Sequence, residues 1–257
     1  MKRSKTIGLV LVVGTLFFLA AGPAVLAASS LDQIKARGVL VIGTDATYPP
    51  FEYVDKEGKI VGAEIDLGNE LARRLGLKAK FINTAWDGIF PALNGKKFDV
   101  IISSVSITPK RQEAYDFSVP YKDSAQIVVV AKDNQDIKTK ADLKGKKVGV
   151  QIGTTSEKEA KKVGGVGEVK AYSTFTEPFM ELAFGRIDAI IINKAVAAVF
   201  INRYPEKFKT TGEPFLIKKQ GVVIRKGEKE LKEAIDKALK EMLDDGWIKK
   251  LREKYMI

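Results

Sequence analysis

An alternation narrows the fold of this chain more than any other feature. From residue 39 onward, short apolar runs rich in β-formers take turns with segments whose apolar residues recur at helical spacing, the pattern of α/β proteins built on parallel sheets with crossover helices. Residues 39–43 form the first predicted strand. Leu67, Leu71 and Leu75 then repeat every four residues and stop at Gly76, as in an amphipathic helix closed by a glycine in the left-handed region. A strand is expected over 78–82, a short helix capped by Asp87 and holding Pro91 near its first turn runs to Leu93, and a third strand covers 100–103. A second series begins after Tyr121: strands over 126–131 and 147–150, a helix from Ser156, a helix opening with Pro178, and a strand over 189–192. Turn-forming and charged residues over 132–140 make that stretch a loop. After Gly221 only a short strand over 222–224 and a helix carrying Leu231, Ile235, Leu239 and Met242 remain, too little for a third domain. The simplest arrangement returns them to the first series. Two lobes follow, 28–122 with 221–257 and 128–217, joined by crossings over 123–127 and 218–220 that would act as a hinge.

The amino-terminal 27 residues do not join this pattern. Lys2, Arg3 and Lys5 precede an apolar run over 7–20 and a small-residue stretch over 21–28, so residues 1–27 are expected to be a secretory signal peptide cleaved after Val25-Leu26-Ala27. The chain has no cysteine, so the exported form carries neither disulfides nor the acylated cysteine of a lipoprotein. It is expected to be periplasmic or secreted and monomeric. Removing three basic residues with the leader lowers the formal charge from +11 to +8. The remaining Lys and Arg are interspersed with Asp and Glu and form no basic stripe, which argues against a nucleic-acid partner.

With no histidine and no cysteine, the commonest general base, the thiolate nucleophile and most transition-metal sites are excluded, and neither a cofactor nor a metal is expected. The remaining polar groups gather after predicted strands, where open α/β sheets bind ligands. In GTDATYPPF (43–51), Asp45 and Tyr48 offer a carboxylate and a flat face for a cation, although an aspartate here serves a turn equally well. In SSVSITPKR (103–111), Ser103, Ser104 and Ser106 precede Arg111, whose planar guanidinium can grip a carboxylate in two places. QIGTTSE (151–157) places Gln151 at a strand end and Thr155 at a helix start, where amides attract anions and where Thr155 or Ser156 can also cap. It lacks the second glycine and the lysine of a phosphate loop. GRIDAIIINK (185–194) delivers Asn193 and Lys194 to the same edge, with Asn193 able to accept from an ammonium.

These clusters, with VGAEIDLGNELARRLG, DGIFPALNGKKFDVIISSVSITPKRQEAYDFSVPY, GKKVGVQIGTT and DGWIKKLREKY, resemble the polar and basic amino-acid branch of the bacterial periplasmic solute-binding proteins over nearly all of the mature chain. The resemblance implies a periplasmic-binding-protein-like fold, two α/β lobes with the ligand cleft between them and a two-strand hinge. It further implies an ABC permease and its ATPase as partners, and a free amino acid as ligand. Carried over position by position, Arg111 pairs with the ligand's α-carboxylate with help from Ser106 and Thr155, and Ser104 and Ser106 meet the α-ammonium. Asp45 contacts a side-chain nitrogen, while Tyr48 and Trp86 enclose the side chain. Gln151, at a position that varies with ligand, resembles the arginine receptors. Where the family pattern expects an aspartate for the α-ammonium, this chain has Asn193. Either another acid such as Asp45 compensates, or the ligand lacks the α-amino group. An exported enzyme on the same scaffold, of the cyclohexadienyl dehydratase type, is the rival from another class. The glutamate that such enzymes need is replaced here by Val196.

Overall fold

The computed structural model describes residues 30–257, and the signal peptide expected over 1–27 lies outside the described residues. Helix α1 (Ser30–Arg37) leads into strand β1 (Val39–Thr44), after which β2 (Thr47–Tyr48), β3 (Glu52–Val54) and β4 (Ile60–Val61) form a small antiparallel sheet. Helix α2 (Ala63–Arg74) crosses to β5 (Lys78–Asn83) and α3 (Trp86–Asn94) to β6 (Val100–Ile101), both parallel to β1 and on either side of it. α4 (Pro109–Ala114) and β7 (Tyr115–Phe117) complete this pass. The chain then leaves on β8 (Lys122–Ala131) and builds β9 (Lys147–Gln151), α5 (Thr155–Lys162), β10 (Glu168–Tyr172), α6 (Thr176–Ala183), β11 (Ala189–Asn193) and α7 (Lys194–Arg203). It returns along β12 (Phe208–Gln220), adds β13 (Val223–Arg225) between β6 and β7, and ends in α8 (Lys229–Asp244) and α9 (Trp247–Tyr255).

Two five-stranded sheets result, ordered β5-β1-β6-β13-β7 and β10-β9-β11-β8-β12. They are mixed rather than parallel. β13 runs antiparallel to β6 and β7, and β8 antiparallel to β11 and β12. The reversal follows from the crossings: β8 leaves the space between the sheets, while β9 and β11 run toward it. β12 carries Gly212 and Pro214 and irregular register against β8, and so shows no strand periodicity in the sequence. Asp87 does not cap α3. Ala85 stands at the cap position, and Asp87 lies in the first turn, where its charge faces the positive end of the helix dipole.

Both sheets are covered on both faces, which explains their continuous apolar runs. Ile127, Val129, Ile190 and Ile192 pack on one side of the second sheet and Val128, Val130, Ala189 and Ile191 on the other. In the first, Leu40, Ile42 and Val100 pack beneath α2 and α8, and Ile89, Leu93 and Phe98 cover the opposite face. Leu231, Ile235, Leu239 and Met242 of α8 are fully buried in the first of these cores, each contributing about 1.5–3 kcal/mol by apolar burial. Helix α8 therefore belongs to the amino-terminal sheet.

Candidate functional site

A narrow cleft lies where the two sheets face each other. The first sheet supplies Asp45 and the Ser103–Ser106 segment, both following strand ends as open α/β sheets place their ligand-binding groups. The ladder of the third strand ends at Ile101 rather than 103, because Ser104 takes φ of 51°, in the left-handed region that costs a non-glycine residue strain. Gln220 Nε2 donates to the Ser104 carbonyl at 2.6 Å and fixes the turn.

Arg111 sits in the short helix α4, whose cap Thr108 accepts from the Arg111 amide at 3.3 Å. Its side chain is 9% exposed and donates to the Ser106 carbonyl at 3.0 Å. The guanidinium lies 5.3 Å from the Trp86 ring centre and 5.2 Å from that of Phe90. Among the described residues no carboxylate pairs with it, and burial pushes its pKa down to about 10. Across the cleft, Thr155 and Ser156 open α5. Their first-turn amides have no intrahelical partner. The cap is Thr154, which accepts from the Glu157 amide and donates to the Gln151 carbonyl at 2.7 Å, so the hydroxyls of Thr155 and Ser156 are not used for capping. The Ser156 hydroxyl instead donates to Gln126 Oε1 at 2.7 Å. Trp86 packs on Gly153, where an added Cβ would stand 3.4 Å from the indole. Arg111, the serine turn and the start of α5 thus make one wall of the cleft rich in hydrogen-bond donors.

The opposite wall is rich in acceptors. Asp45 accepts from Thr47 Oγ1 at 2.9 Å and from Gln151 Nε2 at 2.7 Å, a bond that joins the two sheets. Burial raises the Asp45 pKa, the hydrogen bonds from Gln151 and Thr47 pull it back, and the charge of Asp87 adds to the rise. Tyr48 lines the cleft with its ring 4.4 Å from that of Phe175. Behind Ser104 lies a buried network: Lys122 Nζ pairs with Glu64 Oε1 at 2.7 Å and donates to Ser104 Oγ, while Tyr121 donates to Glu64 Oε2.

The structure therefore brings together Asp45, Tyr48, Trp86, Ser103, Ser104, Ser106, Arg111, Gln151 and Thr155. It does not bring Asn193. That side chain caps α7, accepting from the Ala195 and Val196 amides, and donates to Ser124 Oγ at 2.7 Å, so it is spent on the fold and does not line the cleft. Ser156, read from the sequence only as a possible cap, also lines the cleft, with five residues that strand and helix periodicity does not point to: Glu52, Gln126, Thr154, Phe175 and Gln220. Glu52 Oε1 accepts from Ser103 Oγ at 3.0 Å. Burial and the neighbouring Glu64 raise its carboxyl well above the usual range, with Lys122 opposing.

Two sheets, crossing strands and a polar cleft between them define a two-lobed binding protein for a small ligand. The chain belongs to family 3 of the bacterial extracellular solute-binding proteins, whose model matches residues 40–257. It is 39% identical to the L-cystine-binding protein TcyJ of Escherichia coli (strain K12) over 227 residues, 88% of this chain and 85% of that one. It is 38% identical to the lysine/arginine/ornithine-binding periplasmic protein of the same organism over 224 residues, covering 83% of this chain and 86% of the other. An ancestral arginine-binding protein solved bound to arginine superposes with a TM-score of 0.82 at 46% identity, covering 85% of this chain and 98% of that chain. AncCDT-1, an ancestral amino acid-binding protein and precursor of cyclohexadienyl dehydratase, gives a TM-score of 0.83 at 42% identity, covering 88% and 99%.

Proposed function

We propose that this chain is the extracytoplasmic receptor of an ABC importer for a basic amino acid, arginine first among them, which it delivers to a membrane permease and its ATPase as a monomer after export. The observation that carries this is the polarity of the cleft, with a buried guanidinium, Arg111, that has no carboxylate partner among the described residues at one end and acceptors, Asp45 and Gln151, at the other. A ligand with a carboxylate and a cationic side chain satisfies both ends at once, and Tyr48 and Trp86 line the space between them. The lobes are residues 28–122 with 221–257 and residues 128–217, and the hinge is residues 123–127 with 218–220, on the paired ends of β8 and β12, where Asp123 faces Lys219 and Ser124 faces Lys218. Rotation there closes the cleft, and a ligand that bridges both lobes favours the closed form by its differential affinity.

Likeness to a cystine-binding protein supports a second reading. Cystine would carry a second carboxylate to the Asp45 wall, which favours the basic side chain. Catalysis of the dehydratase type has less support, since Val196 on α7 is apolar and fully buried where a general acid would be needed. The test is thermal melting of stripped, refolded protein against arginine, lysine, ornithine, histidine, glutamine, cystine and amine-free carboxylates. Stabilisation by basic amino acids, lost in Asp45→Ala and Arg111→Ala, supports the reading. A response to amine-free acids alone sinks it.

A further inference from the structure

The ligand's α-ammonium has no partner at Asn193, and the cleft contains a carboxylate that answers this need. Glu52 is 1% exposed, lines the cleft, and its Oε2 has no hydrogen-bond partner among the described residues. The other cleft and network carboxylates are engaged: Asp45 holds Thr47 and Gln151, and Glu64 holds Lys122 and Tyr121. Glu52 is held only through Oε1, by Ser103 Oγ. That hydroxyl also accepts from the Asp45 amide, so its single proton is committed to Glu52. Gln220, 2% exposed, reaches the same turn from the end of β12. Its Nε2 donates to the Ser104 carbonyl, which leaves Oε1 as the acceptor, and among the described residues this oxygen too has no donor. Gln220 bridges Ser106, whose carbonyl receives Arg111, so this acceptor adjoins the carboxylate clamp. An α-ammonium is one carbon away from an α-carboxylate, and a bound amino acid anchored at Arg111 would present it there.

From this juxtaposition we infer that Glu52 and Gln220 form a subsite for a primary ammonium, and that Glu52 supplies the counter-charge for the α-amino group that Asn193 does not. The inference rests on the amino-acid receptor reading. It adds requirements of its own: Glu52, which holds its proton in the empty cleft, must release it to solvent as the ammonium enters, and selectivity for ligands bearing the amine must depend on Glu52.

The test is isothermal titration of the refolded receptor and its Glu52→Gln variant with L-arginine and with 5-guanidinopentanoate, which is arginine without its α-amino group. The expected result is a loss of about 10-fold or more in arginine affinity, the scale of one charge-assisted hydrogen bond, with the affinity for the amine-free analogue unchanged. Equal loss for both ligands in a variant that melts like the parent, or no loss for either, overturns the subsite while leaving the receptor reading intact. If the parent protein binds no arginine, the receptor reading fails and the subsite fails with it. Should Glu52→Gln lower melting sharply, Gln220→Met supplies the same comparison between the two ligands, with selective loss of arginine again expected and equal or no loss again fatal.

Discussion

Replacing Arg111 by methionine should stabilise the protein without ligand and destabilise it with ligand. The guanidinium is buried without a carboxylate, and the fall of its pKa from 12.5 to about 10 marks a burial cost of roughly 3 kcal/mol at 1.36 kcal/mol per unit. Methionine would also give up the stacking on Trp86 and Phe90 and the bond to the Ser106 carbonyl, which together offset about 2 kcal/mol. The net gain is about 1 kcal/mol, which in a chain of this size raises melting by about 2–4 °C. Binding moves the other way. Loss of one partner of a buried charged pair costs about 2–5 kcal/mol, and a middle value weakens affinity on the order of 100-fold. Ligand at a hundred times the parent's dissociation constant then contributes about 2.7 kcal/mol to the parent but only about 0.4 kcal/mol to the variant. The two melting curves, recorded by calorimetry with and without arginine, should therefore exchange order. A variant that melts below the parent without ligand and keeps its arginine response would refute both the burial argument and the carboxylate clamp.

Because the folded protein holds the Glu52 proton to higher pH than the unfolded chain does, this group's contribution to stability is present near and below pH 4.5 and is lost as pH rises through the raised value. The melting temperature of the parent minus that of Glu52→Gln, both without ligand, should fall with rising pH, and a flat difference would count against it. Lys122→Met strands Glu64 in the interior and should cost about 3–5 kcal/mol in urea unfolding, most of it recovered in Lys122→Met/Glu64→Gln. Recovery of less than half would mean that the pair is not the source. Asn193→Asp keeps an acceptor for the α7 cap and adds charge at a helix amino terminus, so stability should change by under about 1 kcal/mol and arginine affinity should stay the same. A 10-fold rise in affinity would show that this position does reach the ligand.

Strand ends announce themselves in this chain because hydrophobic periodicity breaks there, and this is how Asp45, Ser103, Arg111, Gln151 and Thr155 could be picked out before any of them had a position in space. Glu52 could not. It follows Phe51 in a short strand and reads as the solvent side of an alternation, and what buries it is a serine hydroxyl that the topology brings from 51 residues away. Gln126 and Gln220 escaped for a related reason, as polar residues on crossing strands whose inward direction depends on how β8 pairs with β12. At Asn193 a strand end and a helix cap coincide, and a single side chain read from sequence could serve either. The structure gives it to the helix.

The bond between Asp45 and Gln151 is made by protein atoms alone, and so it draws the lobes together whether or not an amino acid lies between them. One such bond is worth about 1 kcal/mol, enough to multiply the fraction of shut but unloaded receptors about fivefold. For a transporter that recognises the shut shape, those molecules are decoys: they occupy the permease and deliver nothing. The strength of this single contact would thus set a ceiling on how much receptor a cell gains by making.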